Sequence, residues 1–301
     1  MPWGRWLKIG ITGLILWLLL AKVKWPVLVG TLHRADWRWL PLVLALSLAM
    51  LFLRAYKWYA LLKQSLREVS FREAWVSFLG GTSLGVLTPA RLGELGRLFF
   101  LKNHNKARAG EAMIVDRMFD LSVLLIFGAL GALAVHRRLL AIIVGALTLI
   151  LLFVIMHPQQ LRRLFNGVAR VPVVQRWVPQ VDISYQNIGL PMFAWQLLIT
   201  TINCLLDLVS FYFLLTAFEA VSVAPVLYAF PLILLSNLIP LTIGGLGIRE
   251  GTAMLLLSRH GVSPAAAIDA SFLLYFLNTL VPGLAGALWL LKRNLFPTLR
   301  S

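Results

Sequence analysis

LTPARLGELGR, residues 87–97, is the stretch on which the fold turns. It places Arg91, Glu94 and Arg97 inside an apolar run from Ala74 to Leu101, which Gly80, Gly81, Gly85, Pro89, Gly93 and Gly96 interrupt. Proline and glycine at this density break a helix. The run therefore predicts two short arms joined at a charged turn rather than one clean crossing. A second stretch, LTIGGLGIREG at residues 241–251, has the same build. It lies in an apolar run from Ala224 to Ser258, broken by Pro231, Pro240, Gly244, Gly245, Gly247 and Gly251. Leu-Thr and Leu-Gly recur at the same spacing in both, and Thr88 and Thr242 stand 154 residues apart. That offset predicts an internal repeat with one broken element in each half.

The rest of the chain says what solvent surrounds these elements. Of its 301 residues 59% are hydrophobic and 13% charged, about half the charged share of a soluble domain. So few polar residues cannot cover a water-facing surface, and the excess apolar surface has to face lipid. Six stretches read as full spans, at about 6–22, 39–62, 119–136, 138–157, 191–218 and 264–291. Arg5 and Lys8 before an apolar stretch resemble a signal peptide, but no small-residue cleavage site follows Ala21, so the first span reads as uncleaved, with Trp3, Trp6 and Trp25 at the interfaces. Residues 158–190 are basic and broken by Pro172 and Pro179, and read as a cytoplasmic linker. The expectation is an all-α, polytopic integral membrane bundle of six spans and two re-entrant hairpins. It forms a single domain over residues 1–301, with repeat halves at about 39–136 and 191–291.

The net charge of +16 fits this reading better than nucleic acid, because most Lys and Arg lie in short loops between apolar runs. Set aside Arg54, Lys57, Arg91 and Arg249, and 24 remain. With both broken stretches re-entrant and the N-terminus inside, 17 of these fall inside and 7 outside; with each crossing once, 10 fall inside and 14 outside. The positive-inside rule selects the re-entrant topology and puts both termini in the cytoplasm, the membrane being a bacterial cytoplasmic or inner membrane. The two halves then run in opposite directions, an inverted repeat suited to alternating access. The lone Cys204 and five scattered histidines form no metal-binding cluster, and no metal or cofactor is expected.

The charges in the broken stretches carry the functional reading, since charge within a membrane is expensive. Arg91, Glu94 and Arg97 are spaced i, i+3, i+6 and share one side of a helix following Pro89. Two guanidiniums around a carboxylate suit a phosphate, and the free N–H groups at the start of that helix favour an anion. Arg249 and Glu250 follow the glycine turn at Gly244, Gly245 and Gly247, and Pro240 precedes it. Asp116, Arg117 and Asp120 sit just before the third span and supply carboxylates to the arginines. Asp207 lies mid-span, expected to face the interior and to pair with a hairpin arginine. Arg54 and Lys57 read as snorkelling cations, and Asp269 and Asn278 as interhelical hydrogen-bond formers.

These motifs, PARLGELGR at 89–97, DRMFD at 116–120 and IPLTIGGLGIRE at 239–250, resemble those of the lysylphosphatidylglycerol synthase transmembrane family, the flippase-like membrane proteins. The resemblance covers about residues 6–295, with Asp116 where that family usually has Glu. It implies a membrane-embedded lipid-handling domain; the aminoacyltransferase domain of the bifunctional members is not expected after Ser301. The expected function is translocation of an anionic phospholipid, glycolipid or polyprenyl-phosphate lipid. Arg91, Arg97, Arg249, Thr88, Gly244 and Gly245 would receive the headgroup. Glu94, Asp116, Arg117, Asp120, Asp207 and Glu250 would form a charge network or exchange protons, and Pro89, Gly93, Pro240 and Gly247 would break the hairpins. Membrane lipids are the expected partners, with glycolipid or lipid-synthesis enzymes beside them. The alternatives are a membrane-embedded lipid-phosphate glycosyl or headgroup transferase, with Glu94 or Asp120 as base, or an accessory subunit of one.

Overall fold

The computed structural model describes residues 30, 33, 35–66, 68–86, 88, 91–101, 104–134, 136–157, 188–236 and 247–292. The expected first span with its tryptophans, most of the 158–190 linker, and the turn residues Pro89, Pro240, Thr242, Gly244 and Gly245 lie outside them. Every regular element among the described residues is helical. A 3-10 turn, Trp37–Trp39, opens into α1 (Leu40–Ser65), followed by α2 (Phe71–Val86), a 3-10 segment (Leu92–Phe100), α3 (Lys106–Ala134) and α4 (Arg138–Met156). Then come α5 (Leu190–Thr216), α6 (Val223–Ser236), α7 (Ile248–Leu257) and α8 (Pro264–Tyr275); a π turn, Phe276–Leu280, joins α8 to α9 (Val281–Lys292).

Local chemistry sets the helix starts. Ser70 and Glu73 cap α2 reciprocally: the Glu73 carboxylate accepts the Ser70 N–H at 2.9 Å, and the Ser70 hydroxyl accepts the Glu73 N–H at 3.2 Å. Asn105 accepts the N–H groups of Ala107 and Arg108 at the start of α3. Ser263 does the same for α8, with Pro264 in the first turn.

Polarity is distributed for lipid rather than water. Trp37–Ser65, Arg138–Met156, Leu190–Thr216 and Pro264–Leu290 are long and apolar enough to cross a membrane. Leu48, Leu139 and Leu149 are two-thirds or more exposed, whereas Lys57, Glu94, Arg97, Asp116, Arg249 and Glu250 are buried. An apolar outside around a charged inside is stable only in a bilayer. The chain is an all-helical integral membrane bundle. One apolar cluster gathers α1, α2 and α3 with Val154, Ile155 and Phe193. A second gathers α5 to α9 with Val43 and Val86.

Two expectations change. The third span is the second half of a 29-residue helix that starts at Lys106, so Asp116, Arg117 and Asp120 lie inside a continuous helix and not at its end. No proline interrupts Lys106–Ala134, and the buried charges find partners on other helices, so the helix has no reason to stop. The segment after Pro89 is not an α-helix either. Arg91 adopts the left-handed conformation (φ 57°, ψ 28°) and a nine-residue 3-10 helix follows. With three residues per turn, positions i, i+3 and i+6 eclipse one another. Glu94 and Arg97 are thus aligned more strictly than an α-helix would align them, and Arg91 reaches Glu94 from the left-handed position before the helix.

Close approach explains the glycines of this hairpin. A Cβ on Gly80 would overlap the Phe100 ring, one on Gly81 the Arg97 side chain, and one on Gly85 the Glu94 side chain. α2 therefore presents a trough in which the row Glu94, Arg97, Phe100 lies. From the other side, Gly93 sits against the Leu84 carbonyl. The opposite face of α2 packs on α9, where Ser83 donates to the Gly283 carbonyl at 2.8 Å. α6 packs on α3, with Gly131 against the Tyr228 backbone, and α1 packs on α5. Gly93→Ala forces a methyl group onto the Leu84 backbone and is expected to cost about 1–3 kcal/mol of stability. Gly145→Ala, with nothing within 4 Å of the new methyl, is expected to cause no loss; melting temperatures of the two variants in detergent check this.

Candidate functional site

Charges of α1, α3 and the 3-10 segment close into a ring in which Lys57, Glu94, Arg97 and Asp116 are buried and Arg117 and Asp120 are partly exposed. Glu94 Oε2 meets Arg97 Nη2 at 3.0 Å, and Arg97 Nη1 meets Asp116 Oδ2 at 3.3 Å. Asp116 Oδ1 meets Lys57 Nζ at 2.9 Å, and Lys57 also pairs with Asp120. Asp120 Oδ2 meets Arg117 Nη1 at 3.4 Å, and Arg117 returns to Glu94. Six charges alternate in sign, each with two neighbours of opposite sign. Burying any one alone would cost several kcal/mol, and the alternation offsets that cost without leaving a net charge. The Arg97 guanidinium also lies over the rings of Phe78 (4.8 Å) and Trp58 (5.3 Å), so its faces are covered as well as its edges.

Two charged groups stand beside the ring. Arg91 stands in ion-pair contact with Glu94, Nε to Oε1 at 2.6 Å, and neither of these two buried atoms makes a hydrogen bond of good geometry. Arg54 pairs with Asp207, whose other oxygen accepts from Asn278 Nδ2 at 2.9 Å. Together these groups line a cavity of about 200 Å³, closed by Phe78 and Thr82 of α2, Asn203 and Cys204 of α5, Leu234 of α6, Asn278 and Pro282. Its cations are Arg54, Lys57, Arg91, Arg97 and Arg117; its carboxylates are Asp116, Asp120, Asp207 and the adjoining Glu94. Five against four leaves one positive charge, and Arg91 carries it. Arg54 lies 14 residues from the start of α1 and 11 from its end. At 1.5 Å per residue that is about 21 Å and about 17 Å, so the cavity sits near mid-depth of the span.

The expected residues reach this site unevenly. Arg91, Arg97, Asp116, Arg117, Asp120 and Asp207 line the cavity and Glu94 adjoins it. Arg97 is committed to the ring on both sides and does not offer a free guanidinium. Thr88 works on the turn itself: its hydroxyl accepts the Gly93 N–H at 2.6 Å, taking up a donor that an anion was expected to use. Arg249 does not join Arg91 and Arg97. It is buried against Glu250 (2.5 Å), Ser271 (3.0 Å) and the face of Tyr275 (4.8 Å). The turn at Gly247 (φ 90°) is closed by its N–H donating to Glu250 at 2.6 Å. Tyr275 of α8 covers the Arg249 guanidinium, and Arg249 is not among the residues that line the cavity.

Arg54 and Lys57 are the residues that sequence reasoning misjudged. They point inward, and Asp207 pairs with Arg54 instead of a hairpin arginine. Their partners are distant in sequence: Asp120 lies 63 residues from Lys57 and Asp207 153 residues from Arg54. The available signal was depth. Lys57 is eight residues, about 12 Å, from the end of α1, farther than a lysine stem reaches.

A helical membrane bundle with a charged interior is the class that fold and site define. The model of the family described as "Lysylphosphatidylglycerol synthase TM region" matches residues 5–286, and the chain belongs to that family. It is also similar to UPF0104 membrane protein PH1989 of Pyrococcus horikoshii, 29% identical over 157 residues. That alignment spans 49% of this chain and 46% of the relative, about half of each.

Removing Lys57 takes one of two partners from the buried carboxylate of Asp116 and from the partly exposed one of Asp120. Lys57→Met is expected to cost about 3–5 kcal/mol, and adding Asp116→Asn to recover part of it, because one orphaned carboxylate is then neutral. Thermal unfolding of the purified single and double variants measures both effects.

Proposed function

We propose that this chain translocates a lipid with an anionic, phosphate-bearing headgroup between the leaflets. The observation that carries the reading is Arg91: a guanidinium that stands outside the ring of alternating charges and lines a cavity with one excess positive charge near mid-depth of a membrane span. A phosphate neutralises that charge and accepts two parallel N–H bonds from a guanidinium. The closed ring supports the same reading, because it holds Glu94, and Glu94 aims Arg91. The apolar tails would stay in lipid while the headgroup occupies the cavity. The family name refers to lysylphosphatidylglycerol, a glycerophospholipid whose headgroup contains a phosphate.

The same proposal includes two re-entrant hairpins in inverted halves, α2 with the 3-10 segment and α6 with α7. The packing supports it by its reciprocity. Each hairpin's first arm packs on the last helix of the other half, α2 on α9 and α6 on α3, while the first spans α1 and α5 pack on each other. Such exchanged contacts are what a two-fold relation between halves produces, and rocking of one half against the other would open the cavity alternately. Ser83 and Ser236 near the hairpin tips are buried, so reagents are better directed to Thr88 and Ile248, which are partly exposed. Cysteines at these two positions are expected to react with an impermeant thiol reagent from opposite faces of oriented vesicles. Reaction of both from one face overturns the inverted arrangement.

The headgroup role of Arg91 is tested in proteoliposomes with fluorescent phospholipids. Arg91→Gln is expected to lower the translocation rate of an anionic lipid at least about tenfold, the loss of one charge-assisted hydrogen bond. Its melting temperature should stay close to wild type, since the six-membered ring does not include Arg91. An Arg91→Gln protein that moves the same lipid at the wild-type rate sinks the mechanism.

A further inference from the structure

One wall of the cavity is built for hydrogen-bond donors that carry no charge. Asn203 on α5 donates its Nδ2 to the Ile199 carbonyl at 3.1 Å, and Asn278 donates its Nδ2 to Asp207 Oδ1 at 2.9 Å. Both partners can only accept, so the orientation of each amide is settled and each Oδ1 is the atom left over. Both Oδ1 atoms are buried with no hydrogen-bond partner, and both residues line the cavity. Asn203 is only 7% exposed. Asn278 lies at the centre of the π turn, a geometry that recurs at functional sites because it re-aims a side chain within a helix. A headgroup that enters this space displaces water and must itself donate to these oxygens.

Hydroxyls and ammonium groups both donate, and the surrounding charge separates them. The cavity is already positive by one. The carboxylate nearest the asparagines, Asp207, has both oxygens engaged, one by Arg54 and one by Asn278. An ammonium would meet neutral amide oxygens beside Arg54 with no free carboxylate, whereas a hydroxyl needs none. A volume of about 200 Å³ holds roughly seven waters at ~30 Å³ each, room for a phosphate and a three-carbon polyol.

We infer that the ligand of this cavity is a polyol phosphate, its phosphate on Arg91 and its uncharged hydroxyls on Asn203 and Asn278, and that ammonium-bearing headgroups are selected against. The inference rests on the headgroup reading above and adds which headgroup. It sets this chain apart from a carrier of aminoacylated lipid, whose headgroup brings an ammonium.

Binding of short-chain phosphatidylglycerol, phosphatidic acid and phosphatidylethanolamine to the purified full chain in detergent tests it, with glycerol phosphate as the soluble arm. Phosphatidylglycerol is expected to bind about tenfold tighter than phosphatidic acid, the worth of one satisfied buried acceptor, and phosphatidylethanolamine weakest. Asn203→Leu and Asn278→Leu should each bring the phosphatidylglycerol to phosphatidic acid ratio toward one. Asn203→Asp, which preserves shape where a leucine disturbs folding, supplies a free carboxylate and should raise phosphatidylethanolamine relative to phosphatidylglycerol. Glycerol phosphate binding as tightly as phosphatidylglycerol keeps the chemistry and makes its source a soluble ester. Tighter binding of phosphatidylethanolamine by wild type, or ratios unmoved in all three variants, overturns the inference. Equal binding of phosphatidylglycerol and phosphatidic acid, both lost in Arg91→Gln, overturns it while leaving the headgroup reading standing. Binding that ignores Arg91 altogether removes the headgroup reading itself.

Discussion

A charge inside a bilayer must find an opposite charge, and in this protein that requirement is met by six residues at once. Glu94, Arg97, Asp116, Lys57, Asp120 and Arg117 alternate around a closed ring drawn from α1, the 3-10 segment and α3. Each member is held from two sides, so no single helix can shift without exposing a charge to an apolar environment. The ring thereby fixes where α3 lies against α1 and where the broken stretch sits against both. It also leaves Arg91 outside the balance, and the positive character of the cavity follows from that one omission.

The ring in turn depends on backbone geometry that brings its hairpin members into reach. α2 supplies a trough of glycines so that Glu94, Arg97 and Phe100 can lie against it. The 3-10 helix supplies the three-residue period that stacks Glu94, Arg97 and Phe100 on one side. The left-handed turn at Arg91 and the Thr88 hydroxyl close the hairpin before that row begins. Glycine, 3-10 geometry and threonine here serve one end, which is to bring a carboxylate and a guanidinium of a short segment to the partners waiting on α3.

The second hairpin obeys the same logic with a smaller network. Arg249 is neutralised within its own helix by Glu250 and completed by Ser271 and the Tyr275 ring of α8. Its charge needs no help from the first half, which is why it does not face the cavity. Matching motifs 154 residues apart suggested equal arginines around a shared ligand. The packing places them unequally, Arg249 against Glu250, Ser271 and Tyr275 and Arg91 on the wall of the cavity.

The helical membrane class was legible from composition alone, because an apolar fraction of 59% with so few charges has no soluble solution. Four of the spans, the breaks in the two Gly/Pro-rich stretches and the presence of Arg91, Glu94, Asp116 and Asp120 in or beside apolar runs could also be read from local pattern, since helix length, breakers and charge in an apolar run are properties of neighbouring residues. What local pattern could not supply was pairing. Lys57 and Arg54 looked like cations escaping to water because Asp120 and Asp207 lie 63 and 153 residues further along. Arg97 and Thr88 looked available because the groups that occupy them are set by a turn and by another helix. The sequence by itself determined which charges enter the membrane. Only the tertiary structure decided which of them pair with one another and which one stands outside the ring, because electrostatic pairing depends on distance in space and not on position in the chain.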